Sequence, residues 1–200
     1  LHASIVAGTM VTPFAAMADN PVPVIDASNA SFAWAKTPTQ TISAAGIKFA
    51  YRELGKQHGG TPVVLLNHLA AVLDNWDPRV VDGIAAKHHV IVFNNRGIGA
   101  SSGATPETIE EMADDTVAFI KAMGFEQVDL FGFSMGGMVS QEIVLKHSQL
   151  VRKLILAGTG PAGGEGISSV AGVANLDILR GLITFQDPKQ FLFFTRTPDG

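Results

Sequence analysis

The sequence has no cysteine and little positive charge. The absence of cysteine from 200 residues excludes a disulfide scaffold, a thiolate zinc site and a cysteine nucleophile. Fourteen lysines and arginines against 18 aspartates and glutamates leave a net charge of −4. We therefore expect no nucleic-acid partner, because such a partner needs a basic surface. Hydrophobic residues make up 46% of the chain and charged residues 16%, which predicts a folded domain.

Long apolar runs are also scarce. Past the first residues, no stretch approaches the ~20 apolar residues of a membrane-spanning helix, so we expect no membrane span. Residues 1–18 are predicted to be a secretory signal peptide, because they are mostly apolar and end in Ala16-Met17-Ala18, a small-x-small cleavage pattern. A buried N-terminal helix is the alternative. We expect an exported protein, periplasmic or secreted, or a cytoplasmic one if this segment is not a signal.

Strands and helices alternate through the middle of the chain. The proline-rich residues 19–40 are predicted to be an irregular tether. The segment 41–160 is predicted to be the core, in which alternation of strand and helix predicts an α/β fold, a mostly parallel sheet with helices on both faces. Strands are predicted at 47–51, 62–67, 89–94, 128–133 and 154–157, and helices at 78–87, 106–123 and 135–147, the second of them capped by Thr105.

Residues 161–200 are predicted to begin a cap after the fourth buried strand. Four phenylalanines in this segment either pack over an apolar pocket or form ordinary core: Phe185, Phe191, Phe193 and Phe194. No internal repeat is visible.

One motif carries chemistry. Residues 132–136 read G-F-S-M-G, at the exit of a predicted strand and the start of a predicted helix. A nucleophile exposed on so sharp a turn needs neighbours without side chains, which Gly132, Gly136 and Gly137 supply. The helix N-terminus would stabilise an oxyanion beside Ser134. The alternative is a glycine-rich turn with an idle serine.

The chain resembles the α/β-hydrolase superfamily over roughly residues 42–159. Besides G-F-S-M-G, three segments carry the resemblance. They are L-L-N-H-L-A at 65–70 followed by N-W-D-P at 75–78, N-R-G-I-G-A-S at 95–101, and G-F-S-M-G-G-M at 132–138, which extends the turn around Ser134, here called the elbow. The last of these resembles the 3-oxoadipate enol-lactonase and arylesterase/perhydrolase branch. The family often has an aspartate where Asn94 stands, a departure that affects the loop and not the fold.

The resemblance implies a site built on Ser134 as nucleophile. The backbone N–H of Met135 would be one oxyanion donor, and that of Leu69 the other, with Ala70 in its place if the register is shifted by one. His68, Ala70 and Phe133 would line the pocket. No metal and no cofactor are implied.

The resemblance also implies an acid and a histidine after the nucleophile. Only His147 follows Ser134, in the helix directly downstream, from which its ring cannot return to the serine. We therefore expect these 200 residues to be the N-terminal part of a longer hydrolase and to be inactive alone. We also expect an open sheet edge at residues 154–157, prone to aggregation or pairing.

The implied activity is hydrolysis of a carboxylic ester or lactone through an acyl-enzyme on Ser134. A small-molecule substrate is the expected partner, and the oligomeric state is left open. A cofactor-free, haloperoxidase-like perhydrolase and a non-catalytic binding protein with this fold are the alternatives. Serine at the elbow argues against dehalogenase and epoxide hydrolase chemistry, for which this superfamily uses aspartate.

Two weaker patterns carry no function. Residues 158–163 match G-x-G-x-x-G, but Pro161 and the glycines behind it do not open a helix, so no nucleotide site is predicted. His88 and His89 would point to opposite faces of a strand and cannot share a metal, and we expect them at a solvated strand entry.

Overall fold

The computed structural model describes residues 32–166, 179–181 and 183–186. The predicted signal peptide, the first part of the predicted tether and most of the predicted cap lie outside the described residues, including three of its four phenylalanines. None of the helices in the described part is long and apolar enough to cross a membrane.

Six strands of the described residues form one sheet. The strands are β1 (Gln40–Ala44), β2 (Ile47–Leu54), β3 (Val63–Leu66), β4 (Val90–Phe93), β5 (Val128–Phe133) and β6 (Val151–Ala157). The helices between and before them are α1 (Ala33–Lys36), α2 (Pro78–Ala85), α3 (Ile109–Ala122) and α4 (Met135–Lys146). Residues 179–181 and 183–184 are also helical.

The sheet order β1-β2-β4-β3-β5-β6 confirms the predicted α/β fold. β2 is antiparallel to β1 and β4, whereas β4, β3, β5 and β6 are mutually parallel neighbours. β1 was not predicted as a strand. It pairs with β2 through a tight turn at Ala45 and Gly46, whose φ angles of 48° and 78° suit a two-residue hairpin.

The last strand lies at the sheet edge, as expected, but it is not buried. In the described part of the chain β6 has a single strand neighbour, β5. Ile155 and Leu156 are 49% and 44% exposed. The prediction of a fourth buried strand was therefore wrong about burial, because an apolar run indicates a strand without showing how much of the strand is covered.

Helices cover both faces of the sheet, as predicted. Side chains of α3 and α4 pack with one face of β3 and β4, where Phe93 and Phe119 stack at 4.2 Å. Side chains of α1 and α2 pack with the opposite face, around Leu65 and Val92. Neighbouring residues of β3 and β4 thus point into different cores, as the pleat requires.

The described end of the predicted tether is part of the core. Trp34 in α1 is 1% exposed, and its ring lies 5.4 Å from the guanidinium of Arg52. The backbone N–H groups of Ala33 and Trp34 donate to the carboxylate of Asp82, at 2.8 and 2.9 Å. Helix α1 is therefore docked on α2, which corrects the prediction of an irregular tether. Burial of one large ring explains the docking.

Helix α3 begins one turn later than predicted. Its N-cap is Thr108 and not Thr105, and the Thr108 hydroxyl accepts from the N–H of Glu111 at 3.1 Å. The Glu111 carboxylate in turn accepts from the N–H of Glu107 at 3.0 Å. The threonine–glutamate spacing of a capping box prevails here over the proline that follows Thr105.

His89 is buried and paired, which corrects the expected solvated strand entry. It is 5% exposed, and its Nε2 lies 2.9 Å from a carboxylate oxygen of Glu53. Burial raises the pKa of Glu53, but hydrogen bonds from His89 and Lys56 outweigh this effect and hold the pKa below its ordinary value. His88 is exposed, as expected.

Truncation of Trp34 tests whether α1 belongs to the core. We expect Trp34→Ala to lower the free energy of unfolding by about 3–5 kcal/mol, the cost of deleting a buried aromatic ring. Urea unfolding measures this change, with Leu145→Ala as the control because Leu145 is 81% exposed. Equal, small effects of the two substitutions would contradict the docking of α1.

The Glu53–His89 pair predicts a pH dependence of stability. Since the folded pKa of Glu53 lies below the ordinary 4.5, the pair stabilises the fold above pH 4.5 and the stabilisation is lost as the pH falls through the folded value. We expect Glu53→Gln to lower the free energy of unfolding by on the order of 1 kcal/mol at pH 7. In acid, the stability of this variant should approach that of the unsubstituted protein. Urea unfolding between pH 3 and 7 checks this, with the exposed Glu126→Gln as control; a constant difference would contradict it.

Candidate active site

Ser134 lies at the predicted turn between a parallel strand and a helix. It follows the last residue of β5 and is the N-cap of α4. Its φ of 53° and ψ of −118° form a conformation that side-chain-bearing residues rarely adopt, and such strain clusters at active sites. The predicted order of strand, serine and helix is therefore confirmed.

Three glycines make room for this turn. A Cβ on Gly132 would lie 2.5 Å from the carbonyl oxygen of Gly136. A Cβ on Gly136 would lie 2.2 Å from the carbonyl oxygen of Leu66, at the end of β3, and one on Gly137 would lie 2.4 Å from the side chain of Thr159. The start of α4 therefore lies directly against the ends of β3 and β5 and against Thr159. Only glycine fits at these three positions.

Both backbone polar groups of Ser134 are bonded. Its N–H donates to the carbonyl of Ala157, the last residue of β6, at 2.9 Å. Its carbonyl accepts from the N–H of Gly137 at 2.9 Å and from the hydroxyl of Thr159 at 2.6 Å. No pattern in the sequence marks Thr159 as functional, although residue 159 lies within the G-x-G-x-x-G match at 158–163.

A buried amide anchors the loop after β3. Asn67 is 2% exposed, accepts from the indole N–H of Trp76 at 2.6 Å and donates to the carbonyl of Phe93 at 2.9 Å. This residue ties the loop to β4 and to the start of α2. An amide directly after a buried four-residue strand was the available signal for such an anchor.

The predicted oxyanion donors lie in this loop and at the start of α4. Among the described residues, no hydrogen bond is made by the N–H groups of Leu69, Ala70 and Met135; their role as oxyanion donors stays a prediction. His68 Nδ1–H donates to the carbonyl of Leu69 at 2.8 Å, and Ala70 has a φ of 56°. The choice between Leu69 and Ala70 stays a prediction.

The turn at residues 95–101 has a structural role. The Arg96 side chain donates to Asp115 of α3 at 2.7 Å. Asn94, where the family often has aspartate, accepts from the N–H of Leu73 at 2.7 Å. The Ser101 hydroxyl donates to the Asn94 carbonyl and accepts from the N–H of Ala50. The turn therefore joins α3 to β2, and Asn94 beside it holds the loop after β3.

A cavity of about 310 Å³ lies beside the elbow. It is lined by His68, Ala71, Asn75, Trp76, Asp77, Val80, Phe131, Phe133 and Ala157. The His68 ring meets the edge of Phe133 at 5.4 Å, as Trp76 meets Phe131. His68 and Phe133, which are predicted to line the substrate pocket, both line this cavity, and Ala71 lines it where Ala70 does not. That the cavity binds the substrate stays a prediction. A hydrogen bond from the Arg79 side chain lowers the pKa of Asp77.

His147 is far from Ser134, as expected. It lines a separate cavity with Lys121 and Phe125, beyond the amino ends of β5 and β6. The elbow lies at the carboxyl ends of these strands, so the length of β5 separates the two. In the part of the chain that the structure describes, no side chain hydrogen-bonds to the Ser134 hydroxyl, and no three metal-ligating side chains are grouped to hold a metal.

Comparison with known proteins defines the family. Residues 61–191 match the family model of the alpha/beta hydrolase fold, so the chain belongs to that family.

Three relatives illustrate its range. The chain is 33% identical over 114 residues to a Mycobacterium tuberculosis protein provisionally named non-heme bromoperoxidase BpoC. This alignment covers 56% of the chain and 42% of the bromoperoxidase. It is 34% identical over 148 residues to the 2-hydroxy-6-oxo-6-(2'-aminophenyl)hexa-2,4-dienoic acid hydrolase of Metapseudomonas resinovorans, covering 70% of this chain and 48% of the hydrolase. The structure of Est816, an N-acyl homoserine lactone degrading enzyme, aligns with a TM-score of 0.59 and 31% identity, covering 71% and 55% of the two chains. The chain thus spans less than half the length of these two curated relatives.

The close approach of α4 to β3 is tested at Gly136. We expect Gly136→Ala to cost about 1–3 kcal/mol, because the new methyl group meets a backbone carbonyl that cannot move aside. Gly83→Ala in α2 is the matched control, since nothing lies within 4 Å of its Cβ position and alanine favours a helix. Thermal and urea unfolding compare the two, and a neutral Gly136→Ala would refute the contact.

Proposed function

We propose that this protein is a serine hydrolase that cleaves a carboxylic ester or a lactone through an acyl-enzyme on Ser134. The observation that carries the proposal is the backbone of Ser134, strained at φ 53° at the N-terminus of a 12-residue helix. Strain at this position holds a serine oxygen clear of the sheet. The free N–H groups of the helix start favour negative charge beside that oxygen.

The reaction follows from this geometry. The Ser134 oxygen attacks the carbonyl carbon, and the carbonyl oxygen gains negative charge in the tetrahedral intermediate. The N–H groups of Met135 and Leu69 hold that oxygen, with Ala70 replacing Leu69 if the register is shifted by one. Collapse of the intermediate expels the alcohol, and water then releases the acid. We assign the base that takes the serine proton to the histidine that the family resemblance implies after the nucleophile, other than His147, and this histidine returns the proton to the departing alcohol.

The walls of the cavity support an apolar acyl group. Four aromatic rings, those of His68, Trp76, Phe131 and Phe133, line it, and apolar walls with a few polar groups are typical of small-molecule sites. A relative at 31% identity degrades a lactone, which favours the ester and lactone class for this chain too.

Perhydrolysis is the second candidate. The relative named as a bromoperoxidase favours it. Hydrogen peroxide would take the place of water in the second step and release a peracid from the same acyl-enzyme, so both candidates need Ser134.

Replacement of Ser134 tests the proposal in the full-length gene product. We expect Ser134→Ala to lower turnover of p-nitrophenyl acetate at least about 10³-fold, because the nucleophile is lost while the fold is kept. Ser148→Ala, at an exposed serine outside the elbow, should retain full activity. Mass spectrometry should find the acetyl group on Ser134.

Three results would alter the proposal. Undiminished turnover by Ser134→Ala would refute it. Formation of peracetic acid from acetate and hydrogen peroxide, faster than ester hydrolysis, would favour the perhydrolase. Ser134-dependent turnover by residues 1–200 alone would mean that a histidine within them is the base, and His68 would be the first to replace.

A further inference from the structure

The nucleophile's backbone is held by β6 and the loop that follows it. The N–H of Ser134 is bonded to Ala157, and its carbonyl is bonded to the Thr159 hydroxyl at 2.6 Å. Of the two donors to that carbonyl, Gly137 belongs to the same helix, and Thr159 is 25 residues further along the chain. The Thr159 hydroxyl is thus the side-chain link between the strained residue and the rest of the fold.

The position of Thr159 is itself tightly determined. Its Cγ2, Cβ and Oγ1 atoms lie 2.4–2.6 Å from where a Cβ on Gly137 would stand, so the side chain rests on the first turn of α4. The amide of Gln141 donates to the carbonyls of Gly137 and Gly160, at 3.1 and 3.0 Å. This amide fastens the loop to the helix on the other side of Thr159.

We propose that Thr159 is a positioning residue, which holds the Ser134 carbonyl and thereby keeps the serine in its reactive backbone conformation. This inference rests on the proposed function. A residue at φ 53° stays there only where its surroundings over-determine it. With the hydroxyl removed, the Ser134 carbonyl keeps a single donor from its own helix, and the peptide after Ser134 loses its restraint from the loop after β6. The oxyanion donor Met135 N–H belongs to that same peptide, so nucleophile and donor would lose their alignment together.

The test compares matched threonine variants of the full-length gene product. The readout is the rate at which a fluorophosphonate labels Ser134, followed by mass spectrometry, together with kcat and KM for p-nitrophenyl acetate. Thr159→Val keeps the shape of the side chain and removes the donor. We expect it to slow labelling and lower kcat roughly 10-fold with KM unchanged, because a small misalignment of reacting groups is costly. Thr159→Ser restores the donor and should recover most of the rate.

Thr116→Val is the control for a purely structural effect. Thr116 is 1% exposed, and its hydroxyl donates to the carbonyl of Met112 at 2.7 Å, the same kind of bond in α3. We expect this variant to lose stability but to label at the normal rate. Should Thr159→Val fail to fold, Thr159→Ala removes the same donor without a methyl group against Gly137, and it should also label slowly.

The failures of the two proposals are distinguishable. Normal labelling of folded Thr159→Val or Thr159→Ala would overturn the inference and leave the hydrolase proposal intact. The same holds if Thr116→Val labels as slowly as Thr159→Val, because the loss of rate would then reflect lost stability. A protein that never labels at Ser134, or a Ser134→Ala variant that labels as well as the parent, would overturn both.

Discussion

The close approach of α4 to the sheet is the constraint on which the site depends. Gly136 lies against the carbonyl that ends β3, and Gly132 lies against the carbonyl of Gly136. Any side chain at these positions would push the helix away from the strands. The first turn of α4 could then no longer present its free N–H groups at the edge where the loops meet. The strained conformation of Ser134 follows from this packing, because the chain must reverse between strand and helix within one residue.

The loops around the elbow are positioned by buried polar side chains as well as by apolar packing. Asn67 joins the loop after β3 to Trp76 and to β4, and Asn94 joins the same loop to the end of β4. Each amide satisfies backbone groups that would otherwise be buried without a partner, a condition that costs more than an average hydrogen bond gains. The parallel strands bring these loops together, because their carboxyl ends share one edge of the sheet.

The proposed chemistry and the proposed specificity depend on different parts of this structure. Under the proposed function, the elbow and the N–H groups beside it would serve attack on a carbonyl, whichever acyl group is bound. The aromatic cavity beside Phe133 would then select the acyl group. Relatives with this fold are named for a lactone, a dienoic acid and a bromoperoxidase reaction, which is the diversity expected when a common turn is combined with different pockets.

Local pattern was enough to predict much of this protein. Alternation of apolar strands and helices determined the fold class, and G-x-S-x-G between strand and helix located Ser134, because both depend on neighbours in sequence. The N-cap of α3, the pairing of His89 with Glu53 and the burial of Trp34 were missed or misjudged, since each depends on a partner or a covering element elsewhere in the chain. Thr159 shows the limit most clearly. It follows Ser134 by 25 residues and looks like part of a glycine-rich turn, and only the parallel pairing of β5 with β6 brings its hydroxyl to the serine carbonyl. Sequence determined which residue stands on the elbow, and tertiary structure decided what holds that residue there, because hydrogen bonds between distant segments leave no periodic trace in the chain.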